Sequence, residues 1–342
     1  MTSATEPLRV GILGAARIAE RAIVKPAHIT GTRLVAVAAR NRRRAEAFAA
    51  EHGVERATDS YAAVLADPKV EVVYNPLPNS LHGPRNLAAV EAGKHVLSEK
   101  PFASTAEEAA EVRAAAQKAG VTVVEGFHYL FHPVMQRLFA LLDSGELGEL
   151  QRVEAVIAMP APADGDPRWS FDLAGGALMD LGCYGLHSHR ALGRWAGGEP
   201  VLLGARAKER AGAPGVDEWL EADLRFPSGA TGSVRCSMVH PSREMTLRAA
   251  GTRGEATIQD FVEPHQDDRV VVRTQAGTTT EHLGTRSSYV YQLEALIDAL
   301  RGGAPMPIDT DDAVATAELI DGCFRAAGLP LRPRTTVPSD RP

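Results

Sequence analysis

The sequence predicts an α/β protein built from two domains, and three observations support that fold class. The mostly apolar residues 8–13 form a predicted strand that runs into a glycine turn and a helix, as dinucleotide-binding folds begin. Strands and helices then alternate up to about residue 124, which is typical of a parallel, doubly wound sheet. Beyond residue 150 the strands are longer and their apolar residues alternate, which indicates an antiparallel sheet. We therefore expect a dinucleotide-binding domain over residues 1–127, an α/β domain over residues 128–330, and a tail over residues 331–342.

The composition is that of an ordinary globular protein, with 44% hydrophobic and 23% charged residues among 342. A net charge of −6 gives no reason to expect nucleic acid or an anionic membrane as partner. No apolar run approaches the roughly 20 residues of a membrane helix, and residues 1–7 lack the features of a secretory signal. The three cysteines are far apart and form no CxxC pair, so we expect a cytoplasmic protein without a metal site.

The first strand ends in a turn that suits a pyrophosphate. Gly14 takes the first glycine position of the dinucleotide motif, and Ala16 and Ala19 take the second and third. Small residues let the backbone approach a ligand, and the helix that follows presents free N–H groups and a partial positive charge. We expect the cofactor to contact Gly14, Ala15, Ala16, Arg17 and Ile18.

The second strand, residues 33–39, ends in a cluster of arginines. A site for NAD usually has Asp or Glu here, for the ribose 2′-hydroxyl, and this sequence has neither. Arginines at a helix start oppose the helix dipole, whereas a 2′-phosphate would pair with them. We expect Arg40, Asn41 and Arg44 to bind that phosphate and the cofactor to be NADP(H) rather than NAD(H). For Arg42 or Arg43 a solvated helix face is the alternative.

The third strand, residues 71–75, leads into a loop that contains Pro76, Leu77, Asn79 and His82. We expect this loop to lie against the nicotinamide and its ribose. The alternatives are that Asn79 caps the following helix and that His82 is a surface imidazole with its hydrogen bonds satisfied.

The next strand ends in Glu99, Lys100 and Pro101. Proline disfavours helical dihedrals in the preceding residue, so Lys100 stays extended at the strand end. Ligands of open α/β sheets bind outside the carboxyl ends of the strands, so Glu99 and Lys100 can meet the cofactor. A solvated Glu–Lys pair before an ordinary turn is the alternative.

The remaining elements follow from periodicity. After a helix at 105–119 and a strand at 121–124 comes a helix at 133–143. A hairpin turn at Pro227-Ser228-Gly229 separates two of the later strands. The tail after Leu331 is rich in Pro and Arg, and we expect it to be disordered. Strands are expected at 150–158, 201–208, 218–226 and 230–238, and helices at 288–301 and 311–326.

A second group of polar residues follows the glycine pair Gly175-Gly176. On a helix Asp180, Tyr184 and His187 are spaced i, i+4 and i+7 and share one face, which is plausible for proton transfer. The glycines allow a close approach to another backbone or to a ligand. The alternative has Asp180 as a cap, Tyr184 half-buried in the core and His187 hydrogen-bonded internally.

These motifs, taken together and in this order, resemble the Gfo/Idh/MocA family of oxidoreductases. The resemblance extends from about residue 8 to residue 326. Its specific parts are the glycine turn, the loop from Pro78 to His82, the Glu99-Lys100-Pro101 sequence and the helix with Asp180 and Tyr184. Residues 125–133 are similar to a segment of the branch that holds sugar dehydrogenases, dihydrodiol dehydrogenases and sugar 3-ketoreductases.

The resemblance implies an N-terminal Rossmann domain and a C-terminal α/β domain with a large open, mainly antiparallel sheet. It implies a cis Lys100–Pro101 bond and a homodimer or homotetramer formed through the C-terminal sheet. The implied reaction is reversible hydride transfer between the nicotinamide and a carbinol carbon of a sugar, cyclic polyol or trans-dihydrodiol. Lys100 matches the family's catalytic lysine, Tyr184 its proton donor and acceptor, and Asp180 the carboxylate that orients substrate.

Some residues depart from the family pattern or are less specific. Ala16 and Ala19 replace glycines, and Leu130 stands where relatives commonly have Arg. Tyr184 replaces the His of other branches, which favours the dihydrodiol and sugar dehydrogenase branch. Two other functions stay open, an NAD-dependent glycosidase-like relative and a dinucleotide-dependent sensor. Residues expected to border the substrate are His128, Arg168, Trp169 and His187.

Overall fold

The chain divides into two units, and the computed structural model describes residues 6–335. Among these residues the first unit contains residues 6–126, Tyr289–Ala317 and residues 334–335, and the second contains Phe127–Ser288 and Glu318–Pro333. Within residues 6–335 no helix is long and apolar enough to span a bilayer. Residues 1–5 and 336–342, which hold most of the stretch examined for a secretory signal and part of the predicted tail, lie outside the described residues.

The first unit is built on a parallel sheet that, within the described residues, has six strands in the order β3-β2-β1-β4-β5-β6. The inner strands are short apolar runs buried on both faces, as a parallel sheet covered by helices requires. The order reverses between β1 and β4, and in such sheets the crevice at this point binds ligands. The strands are β1 Arg9–Leu13, β2 Arg33–Ala38, β3 Ala57–Thr58, β4 Val72–Asn75, β5 His95–Ser98 and β6 Val123–Glu125.

Helices follow the strands of this sheet and cover it. The first helix passes through a π-helical turn at Glu20–Val24 between α1 and α2. Apolar side chains of the sheet and of the covering helices form one core, to which Ala313, Val314 and Ala317 also contribute. The helices are α1 Arg17–Ala19, α2 Lys25–Thr30, α3 Arg42–His52, α4 Tyr61–Leu65, α5 His82–Glu91 and α6 Ala106–Ala119.

The second unit holds a sheet of eight strands among the described residues, in the order β14-β13-β12-β11-β7-β10-β9-β8. All neighbouring pairs are antiparallel except β7 and β10, so the predicted fold class is confirmed. The predicted hairpin at Pro227–Gly229 joins β9 to β10. The strands are β7 Leu150–Ala158, β8 Val201–Arg210, β9 Ala213–Arg225, β10 Thr231–Ser237, β11 Glu244–Gly251, β12 Gly254–Ile258, β13 Arg269–Thr274 and β14 Gly277–His282.

The three helices predicted at 133–143, 288–301 and 311–326 lie close to those positions. Helix α7 (Pro133–Asp143) has the predicted bounds, and α8 (Cys183–Ala191) follows a π-helical turn at Leu178–Gly182. Helix α9 (Ser288–Gly302) belongs to the first unit, except for its first residue, which belongs to the second. Helix α10 (Thr310–Ala326) is divided between the units, with residues up to Ala317 in the first and residues from Glu318 in the second.

The expectation that the chain is disordered after Leu331 is wrong for its first residues. The Arg332 side chain is fully buried and pairs with Asp217 at 2.5 Å. Arg334 lies against α6 and donates to Glu111 at 2.7 Å. Burial of an arginine depends on a partner elsewhere in the chain, and the local Pro- and Arg-rich composition carries no sign of that partner.

Candidate active site

The turn after β1 has the open conformation that a dinucleotide motif needs. Gly14 has φ 107°, and its N–H donates to the Ala38 carbonyl oxygen at 2.7 Å. The helix that begins at Arg17 has Ala16 as its N-cap, and within residues 6–335 no side chain caps it. Its first N–H groups therefore remain available to an anion. A Cβ at Gly14 would lie 2.9 Å from the Leu77 side chain, so the turn and the loop after β4 are closely packed.

The arginine cluster lies beside this turn. The Arg44 guanidinium donates to the Ala15 carbonyl oxygen at 3.1 Å, and the Asn41 side chain accepts from the Arg44 N–H at 3.3 Å as the N-cap of α3. Arg40 is exposed, and Arg42 pairs with Glu46 at 2.9 Å on the outer face of the helix. Arg44 and Asn41 therefore lie at the turn, whereas Arg42 lies on a solvated face of α3.

His82 joins the loop after β4 to the turn after β5. One ring nitrogen lies 2.7 Å from the Leu77 carbonyl oxygen and the other 2.7 Å from that of Pro101, and the side chain is buried. Burial and the nearby Lys100 charge lower the pKa of His82 to about 4, although the two carbonyl oxygens favour the protonated ring. Because both nitrogens face backbone oxygens, His82 holds the two loops together rather than presenting a nitrogen to a ligand.

The Lys100–Pro101 bond is cis, as the resemblance implies, and Lys100 is half-buried. Its neighbour Glu99 accepts a hydrogen bond from the Tyr74 hydroxyl at 2.7 Å, and burial raises the pKa of that carboxyl group. Glu99 was expected to contact the cofactor, and the structure places its carboxylate against a buried phenol. Pro76 is buried in the loop after β4, and Asn79 opens the short 3₁₀ turn before α5.

A buried polar network that the sequence analysis missed supports this edge of the sheet. Asn75 donates to the Asn86 side chain at 2.8 Å, and Asn86 donates to Ser98 Oγ at 2.8 Å and to the Phe102 carbonyl oxygen at 3.2 Å. Glu125 accepts from the Phe102 N–H at 2.8 Å. Asn75, Ser98 and Glu125 are the last residues of β4, β5 and β6, whereas Asn86 lies on α5. Polar residues at the ends of buried strands were the available signal.

In the second unit Tyr184 lies in an aromatic cluster and is 4% exposed. Its hydroxyl is 3.1 Å from His128 Nε2, and His128 Nδ1 is 2.7 Å from Ser288 Oγ. Phe127 and Phe261 contact the Tyr184 ring edge-on, with centroids 5.5 and 6.5 Å away. A phenol, an imidazole and a hydroxyl thus form a continuous hydrogen-bonded chain.

His187 has the internal role that was the alternative in the sequence analysis. Its Nδ1 lies 2.6 Å from the Tyr129 hydroxyl, and its ring stacks on Phe127 with centroids 3.9 Å apart. The assumption of an α-helix over all three polar residues is wrong, because Asp180 belongs to the π-helical turn that precedes α8. The wider turn changes the angular spacing between Asp180 and Tyr184.

Asp180 is held by Arg168, whose Nε donates to Asp180 Oδ2 at 2.6 Å. The Asp180 charge is the main reason that the pKa of Arg168 is raised. Asp166 contacts the same guanidinium at 3.3 Å. Trp169, the next residue, is buried, and the Arg210 guanidinium lies 4.0 Å above its ring. Arg168 and Trp169 were expected to border the substrate. Arg168 forms the ion pair with Asp180, and Trp169 is the neighbouring residue.

Two family descriptions match the chain. Residues 8–127 match the oxidoreductase family with an NAD-binding Rossmann fold named GFO_IDH_MocA, and residues 135–257 match the GFO/IDH/MocA C-terminal domain. The chain is 34% identical over 319 residues to a D-xylose 1-dehydrogenase (NADP(+)) of Haloferax volcanii, covering 93% of this chain and 96% of that protein. It is 32% identical over 270 residues to a trans-1,2-dihydrobenzene-1,2-diol dehydrogenase of Mus musculus, covering 75% and 76%.

The fold has a close counterpart among solved structures. A 3-ketoreductase from Actinomadura kijaniata, in complex with NADP and TDP-benzene, superposes with a TM-score of 0.85 at 29% identity, covering 94% of this chain and 98% of that one. The expected family, and with it the expected class of oxidoreductase, is confirmed. The chain belongs to the GFO/IDH/MocA oxidoreductase family.

Proposed function

We propose that this protein is an NADP(H)-dependent oxidoreductase that transfers hydride between nicotinamide C4 and a carbinol or carbonyl carbon. The substrate class is a sugar, cyclic polyol or trans-dihydrodiol. The names of the relatives support both parts, since one is a xylose dehydrogenase named for NADP(+), one is a dihydrodiol dehydrogenase, and the ketoreductase was solved with NADP. The observation that carries the proposal is the buried Tyr184 hydroxyl on His128, in a chain with an open dinucleotide turn.

The residues of the first unit fit the phosphorylated dinucleotide. The uncapped helix start after Gly14 suits a pyrophosphate. Arg40 follows the end of β2, and Arg44 lies in the first turn of α3, which Asn41 caps. The two guanidinium groups would pair with a 2′-phosphate. When bound, the nicotinamide supplies the hydride acceptor or donor.

The acid–base chemistry belongs to Lys100 and Tyr184. In oxidation Tyr184 or Lys100 takes the proton of the substrate hydroxyl, and in reduction the same group returns it. His128 holds the Tyr184 hydroxyl oxygen at 3.1 Å and can exchange a proton with it, and Ser288 fixes the other nitrogen of His128. The Lys100 ammonium group stabilises negative charge on the substrate oxygen. Asp180, fixed by Arg168, orients the substrate.

The experiment is a screen of aldoses, inositols, keto-sugars and trans-dihydrodiols with each dinucleotide, monitored by absorbance of the reduced nicotinamide. We expect turnover with NADP(H) and a loss of about 100- to 10,000-fold in Lys100→Met, with NADPH affinity retained. The control is Lys118→Met, which replaces an exposed lysine on α6 and keeps the wild-type rate. Wild-type turnover in Lys100→Met, or glycoside cleavage without net release of reduced nicotinamide, would contradict the proposal.

We also propose that the protein is a homodimer or homotetramer formed through the exposed face of the second sheet. Apolar side chains such as Val156 and Trp219 lie half-buried on this face among ion pairs. Arg248 bridges Glu154 and Glu255 there and so neutralises charge that would oppose association. Light scattering coupled to size-exclusion chromatography tests the proposal, and a monomer at micromolar concentration would contradict it.

A further inference from the structure

The last residues of the second unit contain a fully buried cation. The Arg332 guanidinium donates from Nε to the Gly175 carbonyl oxygen at 2.7 Å, from Nη1 to that of Gly215 at 2.8 Å, and from Nη2 to Asp217 Oδ1 at 2.5 Å. The Phe324 ring lies 4.0 Å from the centre of the guanidinium. A buried arginine with this many partners fixes the groups around it.

Its partner Asp217 caps the helix that carries the proposed acid–base residue. Asp217 Oδ2 accepts from the Leu178 N–H at 2.7 Å, at the first residue of the π-helical turn that leads into α8. A carboxylate at a helix N-terminus pairs with free N–H groups and with the positive end of the dipole. Burial raises the pKa of Asp217 to about 6, and the Arg332 charge acts against that rise. The Arg332 charge therefore favours the ionised form of the cap.

The glycine pair of the family motif is enclosed by the same groups. A Cβ at Gly176 would lie 2.0 Å from Asp217 Oδ1 and 2.5 Å from Arg332 Nη2. The Gly176 N–H donates to the Arg168 carbonyl oxygen at 2.9 Å, and the Arg168 side chain holds Asp180. The two ion pairs, Asp217–Arg332 and Asp180–Arg168, therefore share one turn.

We propose that Arg332 and Asp217 are positioning residues for the reaction, because they set the start of the helix on which Asp180 and Tyr184 lie. Neither is a catalytic residue, since both act through the backbone of residues 175–178. The inference rests on the proposed function. It differs from a purely stabilising role, which would change the melting temperature and leave turnover of the folded protein intact.

The test compares Arg332→Met, Arg332→Lys, Asp217→Asn and the double variant Asp217→Asn/Arg332→Met. The control is Arg334→Met, two residues further on, where the side chain is partly exposed and pairs with Glu111. Each variant is assayed for kcat, for NADPH affinity and for its melting midpoint, with kcat measured far below that midpoint. The substrate is the compound that gives the highest turnover in the screen.

We expect Arg332→Met to lower kcat at least 10-fold while NADPH affinity stays within about 2-fold, and Arg332→Lys to restore part of kcat. Arg332→Met leaves the Asp217 carboxylate buried without its cation, and the double variant removes that carboxylate as well. Its melting midpoint should therefore recover relative to Arg332→Met while kcat stays low. If kcat of Arg332→Met is within 2-fold of wild type, or if kcat recovers together with the midpoint, the inference is wrong.

Hydrogen exchange separates this inference from the proposed function. We expect the amides of residues 176–184 to exchange faster in Arg332→Met, with the rest of the chain unchanged. If the wild type turns over none of the screened compounds, the proposed function fails, and the exchange data alone decide the positioning of the helix. Unchanged exchange in Arg332→Met, or faster exchange throughout the chain, would overturn the inference that Arg332 positions this helix.

Discussion

Two glycine turns lead into the two helices that matter for function, and they differ in what fills them. The turn at Gly14 precedes a helix start that no side chain caps within residues 6–335. The turn at Gly175-Gly176 precedes a helix start that Asp217 caps, with Arg332 behind it. In the first, the free N–H groups suit an external anion. In the second, the protein's own carboxylate accepts from a helix-start N–H group. The two proposals therefore give a similar motif different roles, cofactor binding at Gly14 and helix positioning at Gly175-Gly176.

The largest predicted loss of stability follows from adding a side chain to the turn at Gly175-Gly176, which Asp217 and Arg332 already occupy. Gly176→Ala adds a Cβ 2.0 Å from Asp217 Oδ1 at a residue with φ 122°, and neither the backbone nor the buried pair can yield cheaply. We expect a loss of about 4 kcal/mol in the free energy of unfolding, measured by urea denaturation. Gly14 also has a positive φ, 107°, so Gly14→Ala is strained as well, but its new Cβ meets the end of the Leu77 side chain at 2.9 Å rather than a buried ion pair, and the loss should be smaller. Equal losses in the two variants would remove the distinction between the turns.

A second prediction separates the two turns by kinetics. Tyr184→Phe removes the hydroxyl that lies 3.1 Å from His128, so kcat should fall about 100- to 10,000-fold while the Kd of NADPH is unchanged. His128→Asn, which keeps a polar group beside the phenol, should lose less and should shift the pH profile of kcat. The measurement is steady-state kinetics together with quenching of NADPH fluorescence. A raised NADPH Kd with normal kcat in Tyr184→Phe would show that Tyr184 contributes to cofactor binding rather than to proton transfer.

A third prediction concerns cofactor preference at the open turn. Arg44→Ala removes a guanidinium that contacts Ala15, and we expect the Kd of NADPH to rise about 10- to 100-fold, as loss of a charged hydrogen bond implies. The Kd of NADH should change little, because NADH lacks the 2′-phosphate. Arg43→Ala, an exposed residue on the same helix, is the matched control. Tighter binding of NADH than NADPH by the wild type would contradict the role of the cluster.

The difference between the turns also explains what the sequence could predict. The open turn depends on neighbouring residues, and its strand, glycine and helix are visible as a local pattern. The closed turn depends on Arg332 and Asp217, which are 115 residues apart, and nothing local to a Pro- and Arg-rich tail indicates burial. The same holds for His128 and Ser288, which are 160 residues apart. The π-helical turn before α8 was missed because residue periodicity alone assumes α-helical spacing.

A third helix start gives the smallest predicted effect and tests capping by a neutral group. His132 is the N-cap of α7, where Nδ1 accepts from the Val134 N–H at 3.3 Å and Nε2 lies 3.1 Å from the Arg286 carbonyl oxygen, so the neutral ring satisfies both contacts. Burial lowers the pKa of His132 to about 4 from its ordinary 6.5. Between these values the unfolded chain binds the proton and the folded chain does not, so stability falls as the pH falls from about 6.5 to 4.

The variant His132→Asn keeps a capping side chain but cannot titrate, so its melting midpoint should fall less than that of wild type over this pH range. Other groups, including Asp217 with its raised pKa, change stability equally in both proteins and cancel in the difference. His28→Gln, which replaces an exposed histidine on α2, should follow the wild-type curve. Parallel curves for wild type and His132→Asn would show that folding does not lower the pKa of His132. In that case a neutral cap at this helix start would have to be abandoned, whereas the contrast between the two glycine turns would still stand on Asp217.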